Sequence, residues 1–256
     1  MAAPLAGGAR PNWLSVFLDF ASTEFAAGTR FWSAATGYAL SPPRGESDEF
    51  ATLVPPDGHD FLRVQRLGDG LSRVHLDVHV AEPVLVAEAV EAIGATLVHS
   101  SPHGYVVMRS PAGVVFCLVR HSSVVVPPLA VWPDGHHSRV GQVCLDIPGA
   151  EYTREVAFWR ELLGGDWTRP DPTDPLVFRE AGEFAVDLRL QPSQLASDPL
   201  GHLHIVTDDR SAEVERLVEA GAVVRAAREA AIVLEPPGGV PVCVVDLLRD
   251  GIACRA

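Results

Sequence analysis

The sequence has 256 residues, an apolar fraction of 47% and a formal net charge of -13. That apolar fraction is ample for packed cores, and the length allows one large domain or two smaller ones. The negative charge argues against nucleic acid and against an anionic membrane surface as partners. All 20 basic residues are arginine, which excludes a Walker lysine and a lysine Schiff base to pyridoxal phosphate.

Cysteine usage gives an expectation about the redox compartment. The four cysteines are Cys117, Cys144, Cys243 and Cys254, and no two of them form a C-x-x-C pair of the kind found in zinc knuckles. The start of the sequence has no apolar run suited to a signal peptide, and no segment reaches membrane-spanning length. We therefore expect a cytoplasmic protein whose cysteines are free thiols in the usual role of small buried residues.

The first predicted elements follow the order strand, helix and further strands. "LSVFLDF" has the pattern of a strand, and the segment from about Ser22 to Tyr38 has apolar residues near helical spacing. Gly37 stands where a helix commonly ends. "FATLVP" and "DFLRVQRL" are predicted as the short strands that complete this module.

The next segment repeats that order. "RVHLDVHV" is predicted as a strand with His75, Asp77 and His79 on one face, because successive side chains of a strand point to opposite faces. A helix follows, with Pro83 in its first turn and Gly94 at its end. The strands "TLVHS", "GYVVM" and "VVFCLV" close this second module.

The second half of the chain repeats the first half. We find matches in the same order, nearly all 127 positions apart: Leu18-Asp19 with Leu145-Asp146, Phe31-Trp32 with Phe158-Trp159, His75-Leu76 with His202-Leu203, and Gly94-Ala95 with Gly221-Ala222. These matches predict two homologous halves, 14–120 and 140–248, joined by a proline-containing linker at 121–139. In the fourth helix, Ser211 is the predicted N-cap and Gly221 the predicted stop.

With these landmarks the sequence resembles the vicinal oxygen chelate superfamily, the glyoxalase/bleomycin-resistance-like proteins. The landmarks are "FWSAATGY", "RVHLDVHV", "AIGATLV", "GYVVMRSPAG" and "FCLV" in the first half, and "FWRELLGG", "GHLHIVTD" and "PPGGVPVCVV" in the second. The resemblance implies an α+β fold of four βαβββ modules. Each pair of modules would form an open barrel around a concave cleft, with the helices outside.

The same resemblance implies where a metal site would lie. Members of the superfamily take histidine or glutamine from the first strands of two modules and glutamate from the last strands. In this sequence the corresponding positions are Ser15, His75, Arg63 and Cys117 in the first half, and Gln142, His202, Arg189 and Cys243 in the second. Gln65 and Gln191 are the alternates for the two arginine positions. No glutamate occupies a closing position, so we expect no metal cofactor. The alternative is Zn, Fe or Mn held by Gln142, His202 and Cys243.

The polar residues of the predicted clefts suggest contacts with an acidic ligand. A carboxylate, phenolate or phosphate would face Arg63, His75, Asp77 and His79 in the first half. In the second half it would face Arg189, His202 and His204. Charge-assisted hydrogen bonds of this kind fix the orientation of a ligand. The structural alternative is that each histidine is simply a hydrogen-bonded residue of a cleft wall.

Other conspicuous residues are predicted to be structural. Trp32 and Trp159 lie in the apolar stripes of helices and are expected in the core. Asp19 and Asp146 are expected either to act as bases or to pair with a neighbouring arginine. The adjacent histidines at 136 and 137 fall in the predicted linker and are expected to be solvated loop residues.

Three functional hypotheses follow. The first is a non-catalytic protein that binds a small acidic or aromatic metabolite without the usual complete metal cage. The second is a metal-dependent lyase, isomerase or dioxygenase that works from the second half. The third is that one half serves only as a structural partner, which leaves open a monomer with pseudo-dimeric halves or a homodimer.

Overall fold

The structure is a computed structural model that describes residues 10–120, 125–168, 176–179, 184–194 and 200–247. Cys254, residue 248 of the predicted second half and residues 121–124 of the predicted linker lie outside the described residues. No helix of the described part is both long and apolar enough to cross a membrane.

The first half contains two βαβββ modules in the predicted order. The elements of the first module are β1 (Trp13–Phe20), α1 (Phe25–Thr36), β2 (Ala39–Leu40), β3 (Phe50–Val54) and β4 (Leu62–Arg66). Those of the second are β5 (Arg73–His79), α2 (Pro83–Ala92), β6 (Thr96–Ser100), β7 (Val106–Arg109) and β8 (Val115–Val119).

The second half repeats both modules after a short strand, β9 (Ala130–Val131). The elements of its first module are β10 (His137–Pro148), α3 (Tyr152–Leu163), β11 (Asp166–Thr168), β12 (Leu176–Arg179) and β13 (Asp187–Ser193). Those of the last are β14 (Leu200–Thr207), α4 (Arg210–Glu219), β15 (Val223–Ala227), β16 (Ile232–Glu235) and β17 (Val242–Asp246). The α+β fold of four βαβββ modules is thus confirmed.

The strands form two sheets of matching order. One sheet runs β2-β3-β4-β1-β5-β8-β7-β6 and the other β11-β12-β13-β10-β14-β17-β16-β15, with β9 paired to β10. In the second and fourth modules the first strand pairs in parallel with the last, β5 with β8 and β14 with β17. Neither sheet closes into a complete barrel, because β6 and β15 are edge strands. The predicted open form is therefore confirmed.

The helix ends follow the sequence signals with one exception. Gly37 caps α1 in a left-handed conformation with φ 71°, and Pro83 opens α2. At α4 the predicted N-cap Ser211 is wrong. Asp209 occupies that position, and its carboxylate accepts hydrogen bonds from the backbone N–H groups of Ser211 and Ala212. An aspartate is as good an N-cap as a serine, so local preference did not distinguish the two.

The chain packs into two compact units, each containing segments from both halves. The first unit consists of Met1–Val16, His75–Val126 and Leu145–Leu200, and the second of Phe17–Val74, Pro127–Cys144 and Gly201–Ala256. Because modules that are distant in sequence share a unit, long-range side-chain contacts are needed to build each core.

A buried carboxylate joins two modules in the first unit. Glu155 of α3 is fully buried and accepts hydrogen bonds from Ser110 Oγ at 2.6 Å, from the Ala112 backbone N–H at 2.8 Å and from Trp159 Nε1 at 2.7 Å. Next to it, Trp159 packs against Phe116 with a ring-centroid distance of 5.3 Å. The predicted core position of Trp159 is confirmed, as is that of Trp32, since neither is exposed.

A charged network holds the second unit together. His136 is buried, with Nδ1 at 2.6 Å from Asp134 and Nε2 at 2.8 Å from Glu213. Arg216 also contacts Glu213, donates to the carbonyls at the end of α1 and lies 3.5 Å from the ring centroid of Trp132. The predicted solvated loop at His136 is therefore wrong, because the distant Glu213 and the nearby Asp134 compensate the buried ring.

This network predicts a pH-dependent stability. Burial of the imidazole disfavours its charge, but hydrogen bonds to Glu213 and Asp134 outweigh burial and raise the pKa of His136. A histidine with a raised pKa stabilises the fold fully below its unfolded pKa, and that contribution is lost as the pH rises through the folded pKa. In urea unfolding, we expect the stability difference between the wild type and His136→Gln to be largest below pH 6.5 and to shrink at alkaline pH. A constant difference from pH 6 to 9 would contradict the assignment.

Candidate metal centre

A polar cluster lies on two neighbouring strands of the second sheet. Gln142 and Cys144 alternate along β10, and His202 and His204 alternate along β14, which is adjacent to β10. Alternation places each pair on one face of its strand. The intervening residues Val143 and Leu203 are fully buried in the core, so burial of the apolar face fixes the direction in which the polar residues point.

The cluster is closely spaced. His204 Nδ1 lies 2.9 Å from Gln142 Oε1, and His204 Nε2 lies 3.2 Å from Cys144 Sγ and 3.3 Å from His202 Nε2. Gln142 and Cys144 are fully buried, His204 is buried, and His202 keeps partial exposure. The donor atoms of Cys144, His202 and His204 all lie within 4.8 Å of one another.

The hydrogen bond to Gln142 determines the chemistry of His204. Because an amide oxygen only accepts, His204 Nδ1 donates and its Nε2 carries a lone pair directed at Cys144 and His202. Histidines that bind metals are commonly oriented by such a bond from the other ring nitrogen to a carbonyl or carboxylate. Gln142 Nε2 is itself buried without a hydrogen-bond partner among the described residues.

The donor set fits a zinc ion. In a tetrahedral site with zinc bonds of about 2.0–2.3 Å, two nitrogens lie about 3.3 Å apart and a nitrogen and a sulfur about 3.6 Å apart. The corresponding distances here are 3.3 Å and 3.2 Å. Two histidines and a cysteine would leave a fourth position for a substrate or water, as in catalytic zinc sites. An iron dioxygenase site uses two histidines and a carboxylate, and this triad contains no carboxylate.

Cys243, the third member of the predicted ligand set, lies on β17, the strand next to β14. It pairs with His204 across the parallel strands β14 and β17. Its side chain belongs to a hydrophobic cluster with Val206 and Val245, and it is not among the three donor atoms that converge. The structure therefore brings together His202 and Gln142 around His204, with Cys144 in place of Cys243. Ligation by Cys243 stays a prediction.

Sequence reasoning missed Cys144. The repeat relates it to Phe17 in the first half, where no donor stands, so a comparison of the halves passed over it. The strand period would have found it, because Cys144 lies two residues after Gln142 and so on the same face.

Arg189 lies on β13, beside β10 in the same sheet. Only 5% of its surface is exposed, and its Nε is buried without a hydrogen-bond partner among the described residues. Its strand neighbours Leu188 and Leu190 are fully buried. A buried guanidinium is normally paired, so this side chain is a candidate for binding an anion.

The first half places its predicted residues differently. Ser15 Oγ lies 2.8 Å from His79 Nε2, and both residues are fully buried. His75 Nε2 lies 3.8 Å from Asp77 Oδ1. Arg63 contacts Asp60 at 3.1 Å, so its guanidinium already has a carboxylate partner. Asp19 likewise pairs with Arg73 at 3.1 Å, which confirms the expected pairing of this acid with an arginine.

Comparisons with known proteins agree with this architecture. The family model described as a glyoxalase-like domain matches twice, at residues 15–119 and 142–245. The comparison with curated proteins gave no match.

Solved structures share the fold at low sequence identity. A Mn(II)-bound glyoxalase from Novosphingobium aromaticivorans is 15% identical, with a TM-score of 0.61 over 95% of this chain and 84% of the other. A mutant 4-hydroxymandelate synthase from Streptomyces coelicolor is 11% identical, with a TM-score of 0.64 over 93% of each chain. A halotolerant catechol dioxygenase is 13% identical, with a TM-score of 0.59 over 93% of this chain and 87% of the other.

Proposed function

The chain belongs to the glyoxalase-like domain family, and from that premise we propose that it is a metal-dependent enzyme acting on a small acidic molecule. One observation carries the proposal: the donor atoms of Cys144, His202 and His204 converge at one place. The metal is proposed to be zinc, and bound zinc would polarise a carbonyl or hydroxyl oxygen of the substrate. The reaction class that fits this chemistry is a lyase or isomerase rather than a dioxygenase.

The residues around the proposed site have separable tasks. Gln142 holds the His204 ring through Nδ1, so that Nε2 keeps its lone pair for the metal. Cys144 is fully buried and would supply a thiolate ligand, whose negative charge a bound cation would compensate. His202 is the member of the triad that retains exposure, which supports access of a small molecule from its side.

Arg189 of β13 is a separate candidate for binding an acidic molecule. Burial of a charged group without a partner lowers the stability of the fold by roughly several kcal/mol. A carboxylate would offer two acceptor oxygens to the guanidinium group, and a phenolate would offer one.

Metal content tests the proposal. Protein purified without chelators should contain zinc, and His202→Ala should lose one equivalent by elemental analysis while keeping its far-UV circular dichroism spectrum. The same variant should also lose enzyme activity toward small acidic carbonyl compounds. If His202→Ala retains the metal content of the wild type, the proposed site is wrong.

A metal-free protein that binds an acidic metabolite is the second candidate, favoured by Arg189 and by the missing glutamates. With a chelator present, small carboxylates should raise the melting temperature of the wild type, and Arg189→Met should weaken their binding about tenfold or more. Without ligand, Arg189→Met should be neutral or stabilising by about 1–4 kcal/mol, because it removes a buried charge whose Nε has no partner among the described residues.

The exposed Arg154 provides the control, since Arg154→Met should change neither property. Carboxylate binding that persists without metal and depends on Arg189 would favour the binder over the enzyme. Strong destabilisation by Arg189→Met would show instead that the guanidinium has a structural partner.

A further inference from the structure

One face of the first sheet carries two arginines beside a pair of phenylalanines. The arginines are Arg44 and Arg63, the phenylalanines are Phe17 of β1 and Phe50 of β3, and all four belong to the second compact unit. We infer that this face binds a small aromatic carboxylate, with the carboxylate on the arginines and the ring on the phenylalanines. The site shares no residue with the proposed metal centre and does not rest on that proposal.

Strand register brings these side chains together. Arg44 and Phe50 are bridge partners, and each donates its backbone N–H to the carbonyl of the other, at 2.8 and 3.0 Å. Thr52 of β3 is in turn the partner of Arg63 of β4. Cross-strand partners point to the same side, and residues two apart on a strand share a face. Arg44, Phe50 and Arg63 therefore lie on one face of the sheet.

This face is accessible from solvent. Phe50, Thr52 and Arg63 are half-buried, and Arg44 is exposed. The residues that alternate with them on β3 and β4 are at most 2% exposed: Ala51, Leu53, Leu62 and Val64. Their burial fixes the register, because a slip of one residue would turn Arg63 into the core. A small molecule can therefore reach Arg63 and Phe50 without displacing core side chains.

The electrostatics of this face favour an anion. Asp60 accepts hydrogen bonds from Arg63 Nε at 3.2 Å and from Nη2 at 3.1 Å, which fixes the plane of the guanidinium group. Burial and then the charge of Arg63 lower the pKa of Arg44, although Asp60 acts in the opposite direction. In the neighbouring loop, Glu49 accepts the backbone N–H of Ser47. Two guanidinium groups thus act on each other beside one carboxylate, and a bound anion would offset their repulsion.

The phenylalanines add an apolar wall to the charged part of the face. The rings of Phe17 and Phe50 meet edge to face, with centroids 6.2 Å apart and planes at 80°. Arg63 Cζ lies 5.9 Å from the centroid of the Phe17 ring, so the cation is next to the aromatic pair. A ligand with both a ring and a carboxylate can use both parts of the face, whereas inorganic phosphate can use only the arginines.

The repeat gives the two halves different chemistry at this place. Phe17 corresponds to Cys144, so the aromatic wall stands where the second half has a proposed metal ligand. Two residues after Phe17, Asp19 is paired with Arg73 at 3.1 Å, and this pair adds no net charge to the face. Arg44 was not among the ligand residues predicted from the sequence, because only its bridge to Phe50 brings it to the sheet.

Isothermal titration calorimetry with benzoate, acetate and inorganic phosphate as probes tests the inference, on metal-free protein with a chelator present. Arg44→Met should weaken benzoate binding about tenfold or more, because one charge-assisted contact is lost. Phe17→Leu should weaken the binding of benzoate but not that of acetate. Arg30→Met is the matched control, since Arg30 is exposed on α1 and has the same charge, and it should bind benzoate like the wild type.

Three results would overturn the inference. The first is a wild type that does not bind benzoate, or an Arg44→Met variant that binds it equally well. The second is phosphate binding as tight as benzoate binding with no effect of Phe17→Leu, which would indicate a site for inorganic anions. The third is a loss of benzoate binding in Arg189→Met alone, which would assign the ligand to the second half. Circular dichroism checks folding, and Arg44→Gln replaces Arg44→Met if that variant does not fold.

Discussion

Replacement of Cys144 by serine is expected to weaken zinc binding by the second half about 100-fold or more. Substitutions of residues that merely orient metal ligands already cost about 10–100-fold, and Cys144 would be a ligand itself. The measurement is a competitive zinc titration of the reduced, metal-free protein. The hydroxyl of serine keeps the size of the side chain but is a poor zinc ligand at neutral pH.

The matched control is Cys243→Ser, titrated in the same way. Cys243 is also buried and also lies next to His204 in register, but its side chain packs with Val206 and Val245. Its substitution should change zinc affinity by less than about threefold, because no ligand is lost. The reverse result, with Cys243 essential and Cys144 dispensable, would instead support the ligand set Gln142, His202 and Cys243 predicted from the sequence.

The second large effect is expected at Glu155. Glu155→Ala leaves Ser110 Oγ–H, the Ala112 N–H and Trp159 Nε1–H without their acceptor in a buried place. Each unsatisfied buried donor costs about 1–3 kcal/mol, so we expect a loss of about 3–5 kcal/mol in the free energy of unfolding. Urea unfolding at constant pH measures this loss of stability. A loss below about 1 kcal/mol would mean that water replaces the carboxylate.

Glu155→Gln separates the effect of the hydrogen bonds on stability from the effect of the charge. Burial raises the pKa of Glu155 above its ordinary value of 4.5, although its three hydrogen bonds act in the opposite direction. The folded protein therefore holds this proton more tightly than the unfolded chain, and stability falls as the pH rises from 4.5 through the raised pKa. Glu155→Gln should lack this slope while retaining one acceptor oxygen. An identical pH dependence in both proteins would contradict the assignment.

The duplicated architecture was readable from the sequence because it rests on local and periodic signals. The strand period placed His75, Asp77 and His79 on one face, and the glycine at position 37 marked the end of α1, which Gly37 caps at φ 71°. Each signal reflects the geometry of a single element, which neighbouring residues are enough to fix.

Contacts between distant segments could not be predicted from such local signals. The position that carries Glu155 in α3 corresponds in the repeat to Gly28 in α1, where a Cβ atom would lie 2.5 Å from the Phe20 ring. One ancestral position thus became a buried acceptor in one copy and a close packing contact in the other. His136 similarly became a buried charged residue because Glu213, 77 residues away, reaches it.

By itself, then, the sequence determined four βαβββ modules, their order and the faces on which the polar residues lie. Only the tertiary structure decided which donors meet: Cys144 with His202 and His204, and Cys117 with His75 and Asp77. The physical reason is that the direction of a side chain follows from the local strand geometry. Its partners depend on the pairing of strands that are far apart in the sequence, as for Cys144 and His204, which are 60 residues apart.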